Sequence, residues 1–100
     1  MKIRQPILKN MRQDTKKLER IIKGFANHRR IEILRLLEKS PELSVAEVAD
    51  VLNVNFKTIS VHIARLNTAG LIMKRYEGSN VRHKVTPLGI SILTFLRMLE

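Results

Sequence analysis

Apolar residues near the start of the chain stand at Leu8, Met11, Leu18, Ile22 and Phe25, with Thr15 in the one gap, so the steps run 3, 4, 3, 4 and 3. A repeat of roughly 3.5 residues predicts a helix with a single apolar seam of the kind that packs on another helix. Pro6 suits the first turn, where its missing donor costs nothing, so the predicted helix covers about 6–25. Lys9, Arg12, Lys16, Lys17, Arg20 and Lys23 flank the seam. A membrane-surface helix or a transit peptide would also be basic and amphipathic. The repeat, and the direct run into the next element, favour packing on the domain body or on a second copy.

Asn27 can cap a second helix over 28–39, whose positions Ile31, Ile33, Leu34, Leu36 and Leu37 form a broad buried stripe. Ser40-Pro41 ends it, because a residue before proline avoids the α region. Ser44 and Glu47 have the spacing of a capping box, opening a third helix to Leu52 that buries Val48, Ala49 and Leu52. After the break Asn53-Val54-Asn55, Asn55 can cap a fourth helix over 56–68. Its inward face is Ile59, Ile63 and Leu66, and its outward face is Lys57, Ser60, Val61, Ala64 and Arg65. Gly70 supplies a left-handed stop. Two short helices joined by a tight turn, the second with a small, polar and basic outer face, describe a helix-turn-helix.

The period then changes. Residues 71–76 and 81–86 are β-compatible runs around Glu77-Gly78-Ser79-Asn80, a hairpin signal. Thr86-Pro87 opens a last helix to about Leu99, apolar nearly all round, and an apolar face left over on a terminal helix points to a subunit interface. The expected fold is mainly α with a small β-hairpin. Its expected divisions are a basic dimerisation helix at 1–26, a DNA-binding unit at 27–86 and a C-terminal dimerisation helix at 87–100.

Composition narrows the chemistry. Nineteen Lys and Arg oppose nine Asp and Glu in 100 residues, a formal net charge of +10. Ten of the basic residues and only two of the acidic ones lie in residues 1–30. Such a balance favours a polyanionic partner. The absence of cysteine excludes disulfides and thiolate zinc sites. The longest apolar stretch, 88–96, falls far short of the roughly 18–20 residues of a bilayer span. Neither a secretory signal nor a membrane partner is expected. His28, His62 and His83 share no i, i+4 spacing, so no local metal clip forms. No nucleophile elbow, carboxylate pair or phosphate-cradling glycine loop is present, and neither an enzyme nor a cofactor is expected.

The segment 25–34, Phe-Ala-Asn-His-Arg-Arg-Ile-Glu-Ile-Leu, resembles the second-helix entry of the ArsR-type winged-helix transcription regulators, where proline is commoner than His28. The segment 42–48, Glu-Leu-Ser-Val-Ala-Glu-Val, resembles the start of their third helix. Most specific is 58–72, whose Ser60-Val61-His62-Ile63 core and Ala69-Gly70-Leu71 exit resemble the family's recognition helix. The resemblance covers about residues 20–90 and implies a winged helix-turn-helix with flanking dimerisation helices. Thiolate metal sensors of the family carry cysteines where this chain has Ser44 and Ala46, and neither can supply a soft ligand. The family's other common metal site needs His and acidic ligands on the last helix, which 88–99 lacks.

The resemblance implies double-stranded DNA as partner. The residues expected in the major groove are Asn55, Phe56, Lys57, Ser60, Val61 and, further along, Ala64 and Arg65. Lys57 can donate to guanine or phosphate, Ser60 can donate or accept, and Val61 can meet a thymine methyl. Arg65 suits the backbone. Free amides and the dipole at the helix start favour phosphate. In the hairpin, side chains alternate, so Lys74 and Arg75 cannot both face DNA, while Arg82 and Lys84 share a face opposite His83. Arg82 and Lys84 are the expected backbone or minor-groove pair. The expected function is a cytoplasmic, nucleoid-associated homodimeric regulator, a repressor, on a near-palindromic operator. Two alternatives share these features: a non-specific architectural DNA binder, and a winged-helix module in which Phe56 and its neighbours meet a protein.

Overall fold

Helix caps set the element boundaries. The structure, a computed structural model, describes residues 4–100. The elements are α1 Arg4–Phe25, α2 His28–Lys39, α3 Val45–Leu52, α4 Phe56–Thr68, β1 Ile72–Glu77, β2 Asn80–Val85 and α5 Pro87–Met98. Asn27 Oδ1 accepts from the amides of Arg29 and Arg30 at 2.9 and 3.3 Å. Both limbs of the Ser44–Glu47 capping box form, at 3.1 and 3.0 Å. Thr86 caps α5 through Gly89 N at 3.1 Å, with Pro87 in the first turn. Asn53 (φ 53°) and Gly70 (φ 77°) take the left-handed conformation behind α3 and α4.

Two boundaries differ from expectation. Helix α1 already includes Arg4, so Pro6 stands third in the described part of the helix. Amides in a first turn have no intrahelical acceptor, so a proline there removes no bond. The hairpin is tighter than a four-residue loop: Glu77 pairs with Asn80, leaving Gly78 and Ser79 as the turn. Gly78 has φ 61°, and no positive φ occurs at Ser79, the pattern of a type II′ turn.

The core lies where α2, α3, α4, the hairpin and α5 meet. Ile33, Leu34 and Leu37 of α2, Val48 of α3, and Ile59, Ile63 and Leu66 of α4 are buried together with Leu71, Ile72, Val85 and Leu93. Leu52 packs at the edge of this cluster, half-buried. Gly89 seats α5 against the hairpin's base, since a Cβ there would collide with the carbonyl oxygen of Leu71.

Helix α1 joins this body only at its end. Phe25 is buried and Ile21 half-buried, whereas every residue from Arg4 to Arg20 is exposed. The predicted seam therefore packs on the body only through Phe25, whereas Leu8, Met11, Leu18 and Ile22 all face solvent. Thr15, the gap in the seam, donates its hydroxyl to the Met11 carbonyl at 2.7 Å. Gly24 lies so close to Ala69 that a side chain at 24 would overlap it, and this contact fixes α1 against the end of α4. On α5, Leu88, Phe95 and Met98 are likewise exposed, as is Leu99 just beyond it. Among the described residues no helix is long and apolar enough to cross a membrane.

Candidate nucleic-acid interface

The helix-turn-helix presents α4 with its apolar face inward and a stripe of small and basic side chains outward. Ile59, Ile63 and Leu66 anchor it at 0, 2 and 0% exposure. Outside, Phe56, Lys57, Thr58, Val61, Ala64 and Arg65 are exposed, and Ser60 sits half-buried at the edge. Phe56 and Val61 keep 56 and 52% of their surface, so two apolar groups stand in water beside Lys57. Asn55 is exposed too, but its Oδ1 accepts from Lys57 N at 2.7 Å and Thr58 N at 3.4 Å. The expectation of free amides at the start of α4 is narrowed accordingly, since the cap itself takes two of the helix's unpaired first-turn amides. The Asn55 amide NH₂ and the helix dipole remain.

Behind the stripe, α2 meets α4 through Arg30 and His62. Arg30 Nη1 lies 3.2 Å from His62 Nδ1, and Nη2 donates to the Lys23 carbonyl at 3.3 Å. Burial first, then Arg65, lowers the pKa of Arg30. Burial, followed by the charges of Arg30, Arg65, His28 and Arg29, lowers that of His62. Concentrated positive charge is thus built in beside the outer face of α4.

The wing has two distinct faces. Register pairs Met73 with Lys84, Arg75 with Arg82 and Glu77 with Asn80 on one face. The other carries Ile72 with Val85, Lys74 with His83 and Tyr76 with Val81, and Ile72, His83 and Val85 are its buried part. Lys74 and Arg75 therefore point oppositely, and Arg82 shares a face with Lys84. Lys84 is exposed, whereas Arg82 is half-buried, pairing with Glu77 at 3.2 Å and donating to the Glu42 carbonyl at 3.0 Å. Arg75 Nε donates to both Glu42 carboxylate oxygens at 2.9 and 2.8 Å, and its Nη2 reaches Glu77 at 3.0 Å. Those bonds hold the Glu42 carboxyl below its ordinary pKa and raise that of Arg75. Glu42 has φ 71°, and Leu43 bridges β2 at His83, adding a minimal third strand. His83 N donates to the Leu43 carbonyl at 3.0 Å, and the ring Nδ1 does the same at 2.9 Å.

Among the described residues, Lys57, Arg65, Lys74 and Lys84 have no carboxylate at ion-pair distance. Of the residues singled out from sequence, Phe56, Lys57, Ser60, Val61, Ala64 and Arg65 lie along α4 with Asn55 as its cap, while Arg82 and Lys84 lie apart from them on the wing. Thr58 adds an exposed hydroxyl on the same turn as Lys57, a place that periodicity alone reveals. Arg30 and Glu42 have partners 32 and 33 residues away, beyond any local pattern.

Residues 27–74 match the model of the bacterial regulatory proteins of the arsR family. The transcriptional activator HlyU of Vibrio cholerae is 35% identical over 74 residues, 74% of this chain and 68% of that protein. The structure of reduced HlyU from V. cholerae superposes with a TM-score of 0.76 at 30% identity, covering 90% of this chain and 95% of its own. A homodimeric winged helix-turn-helix DNA-binding domain from Mycobacterium bovis gives 0.73 at 28% identity, with 85 and 78% coverage.

Proposed function

This chain belongs to the arsR family of bacterial regulatory proteins, winged helix-turn-helix transcription regulators, and we propose that it works as a homodimer that reads a near-palindromic operator and represses transcription from it. The observation that carries this reading is the outer stripe of α4, where an unpaired Lys57 stands between the exposed apolar groups Phe56 and Val61. A uniform phosphate-binding surface has no use for those two. A major groove, with guanine acceptors beside thymine methyls, uses all three.

In this reading Lys57 donates to guanine O6 and N7, Ser60 bonds a base edge or phosphate, and Phe56, Val61 and Ala64 meet methyl groups. The Asn55 NH₂ and Arg65 hold the backbone. Lys84, with Arg82 behind it, follows the adjacent backbone or minor groove. Dimerisation rests on the free-standing part of α1. An isolated helix of this length is marginal in water, and this one exposes Leu8, Met11, Leu18 and Ile22 on a single side. The outer face of α5 supplies the other apolar surface, and the M. bovis relative is itself described as homodimeric. Two α4 helices about 34 Å apart then reach successive major grooves. Repression requires only that the dimer occupy promoter DNA, in the cytoplasm alongside the chromosome.

Fluorescence anisotropy with a selected duplex tests the interface. Affinity is expected to fall with salt at a log–log slope of roughly −0.9 per phosphate neutralised. A flat response contradicts the reading. A promoter–reporter fusion decides the sign: expression is expected to rise when the regulator is deleted, and a fall would make it an activator.

A further inference from the structure

A concave groove of about 880 Å³ runs between α1 and the outer side of α4, closed at one end by the Gly24–Ala69 contact. Its apolar lining is Ile21, Val61, Ala64, Ala69 and Leu88. Lys17, Arg20, Lys23 and Arg65 carry the charge around it, and no carboxylate lines it among the described residues. Glu19 reaches Lys23 at 3.6 Å with both groups well exposed, a weak pair in water. From these features we propose that the groove binds an anionic amphiphile, a long-chain carboxylate, and that its occupancy excludes DNA.

The geometry follows from helical spacing. Lys17, Arg20, Ile21 and Gly24 stand at i, i+3, i+4 and i+7, so they share the face of α1 turned to α4. The seam of Leu8, Met11, Leu18 and Ile22 lies on the other side of the helix, and Leu88 stands at the start of α5, about two turns from Phe95 and further from Met98, so a dimer formed through the seam and the far end of α5 leaves the groove open. The volume falls within the range of small-molecule sites, which combine mainly apolar walls with a few charged groups. Lysine and arginine stems extend the apolar wall while their heads stay at the rim.

Charge and lining together choose the occupant. The rim demands an anion. A phosphodiester backbone would satisfy it but leave Ile21 and Leu88 against hydrated phosphate, gaining nothing from their burial. An acyl chain buries them along with Val61, Ala64 and Ala69, each contributing in proportion to the area removed from water. Its carboxylate meets Lys17, Arg20 or Arg65, where guanidinium forks suit two oxygens. Val61, Ala64 and Arg65 belong to the stripe assigned to DNA, so the competitive part of the proposal rests on that assignment. The binding part does not.

Dodecanoate, kept below its micellar concentration, is the probe. Methyl NMR of the full chain without DNA is expected to show saturable shifts at Ile21, Val61, Ala64 and Leu88, with one site per protomer. Dodecanol and dodecyltrimethylammonium should bind at least about tenfold more weakly. The surface double variant Lys17→Glu/Arg20→Glu should lose about as much affinity while keeping the wild-type circular dichroism spectrum. No saturable shift at those methyls, or equal shifts from all three amphiphiles, would overturn the site. In a second arm, dodecanoate should displace a labelled duplex in proportion to groove occupancy. Simultaneous binding of both overturns the competition. A chain that binds no duplex at all refutes the DNA reading, and the methyl shifts then judge the groove alone.

Discussion

Arginine can only donate, so the 3.2 Å contact from Arg30 Nη1 makes His62 Nδ1 an acceptor and puts the ring proton on Nε2. Protonating His62 would break that bond and set a new charge among Arg30, Arg65, His28 and Arg29, the groups that, after burial, lower its pKa. The linkage sign follows. A histidine whose folded pKa lies below its ordinary 6.5 binds protons more readily in the unfolded chain. The stability it contributes is present above 6.5 and is lost as the pH falls through the folded value. Thermal unfolding from pH 7.5 down to 5 is expected to show a falling Tm that begins near 6.5, and His62→Gln should flatten that decline. An unchanged slope in the variant would assign the pH dependence elsewhere. At Lys57, alanine is expected to cost about 1–3 kcal/mol at one operator position if the side chain reads a base. Equal losses on selected and scrambled duplexes would assign Lys57 to phosphate. The outward placement of Lys57 was legible from periodicity. The partner of His62 was not, because a contact across 32 residues leaves no trace in spacing.

At the scale of elements, side-chain caps made the α2–α5 boundaries readable. Asn27, Ser44 with Glu47, Asn55 and Thr86 each precede an apolar period and each bonds the first-turn amides as its chemistry suggests. The wing was half legible. Alternation separated Lys74 from Arg75, but the attachment of Arg75 and Arg82 to Glu42 depends on a left-handed residue in the α2–α3 connection that no turn motif signals. This network ties the hairpin to the body and uses two of its four cations. Glu42→Gln is therefore expected to leave the Tm nearly unchanged, because the pairs are solvent-exposed, while amide exchange across β1 and β2 speeds up. Arg75, left with Glu77 as its one carboxylate partner, should also raise affinity for scrambled DNA more than for the selected site. Unaltered hairpin exchange would show that the backbone bridge of Leu43 to His83 suffices to hold the wing. Gly89→Ala tests the neighbouring joint: the added methyl meets the Leu71 carbonyl, and a loss of roughly 1–3 kcal/mol in unfolding free energy is expected from denaturant titration.

The whole molecule measures 57 × 34 × 22 Å, and its radius of gyration of 16.3 Å exceeds the roughly 13 Å of a compact 100-residue domain because α1 projects. Net charge was legible as a total, yet most of it lies on residues 1–30, outside the helix assigned to base reading in sequence, and only the fold brings Lys17, Arg20, Lys23 and Arg30 beside that helix. The 3.5-residue repeat signalled a helix partner for α1, and the structure leaves the seam from Leu8 to Ile22 uncovered by the chain's own body. Leu18→Glu with Phe95→Glu is expected to shift sedimentation from dimer to monomer, lower the helical circular dichroism and weaken binding to a two-half-site duplex far more than to a single half-site. The central claim, that α4 reads sequence from within a dimer, is met most directly by selection from a random duplex library, followed by affinities for the selected site and its scrambled form at physiological salt. A palindrome with half-sites about one helical turn apart, bound at least roughly 10³-fold more tightly than the scrambled duplex, is the expected result. No enriched sequence, with equal affinity for both duplexes, would contradict it.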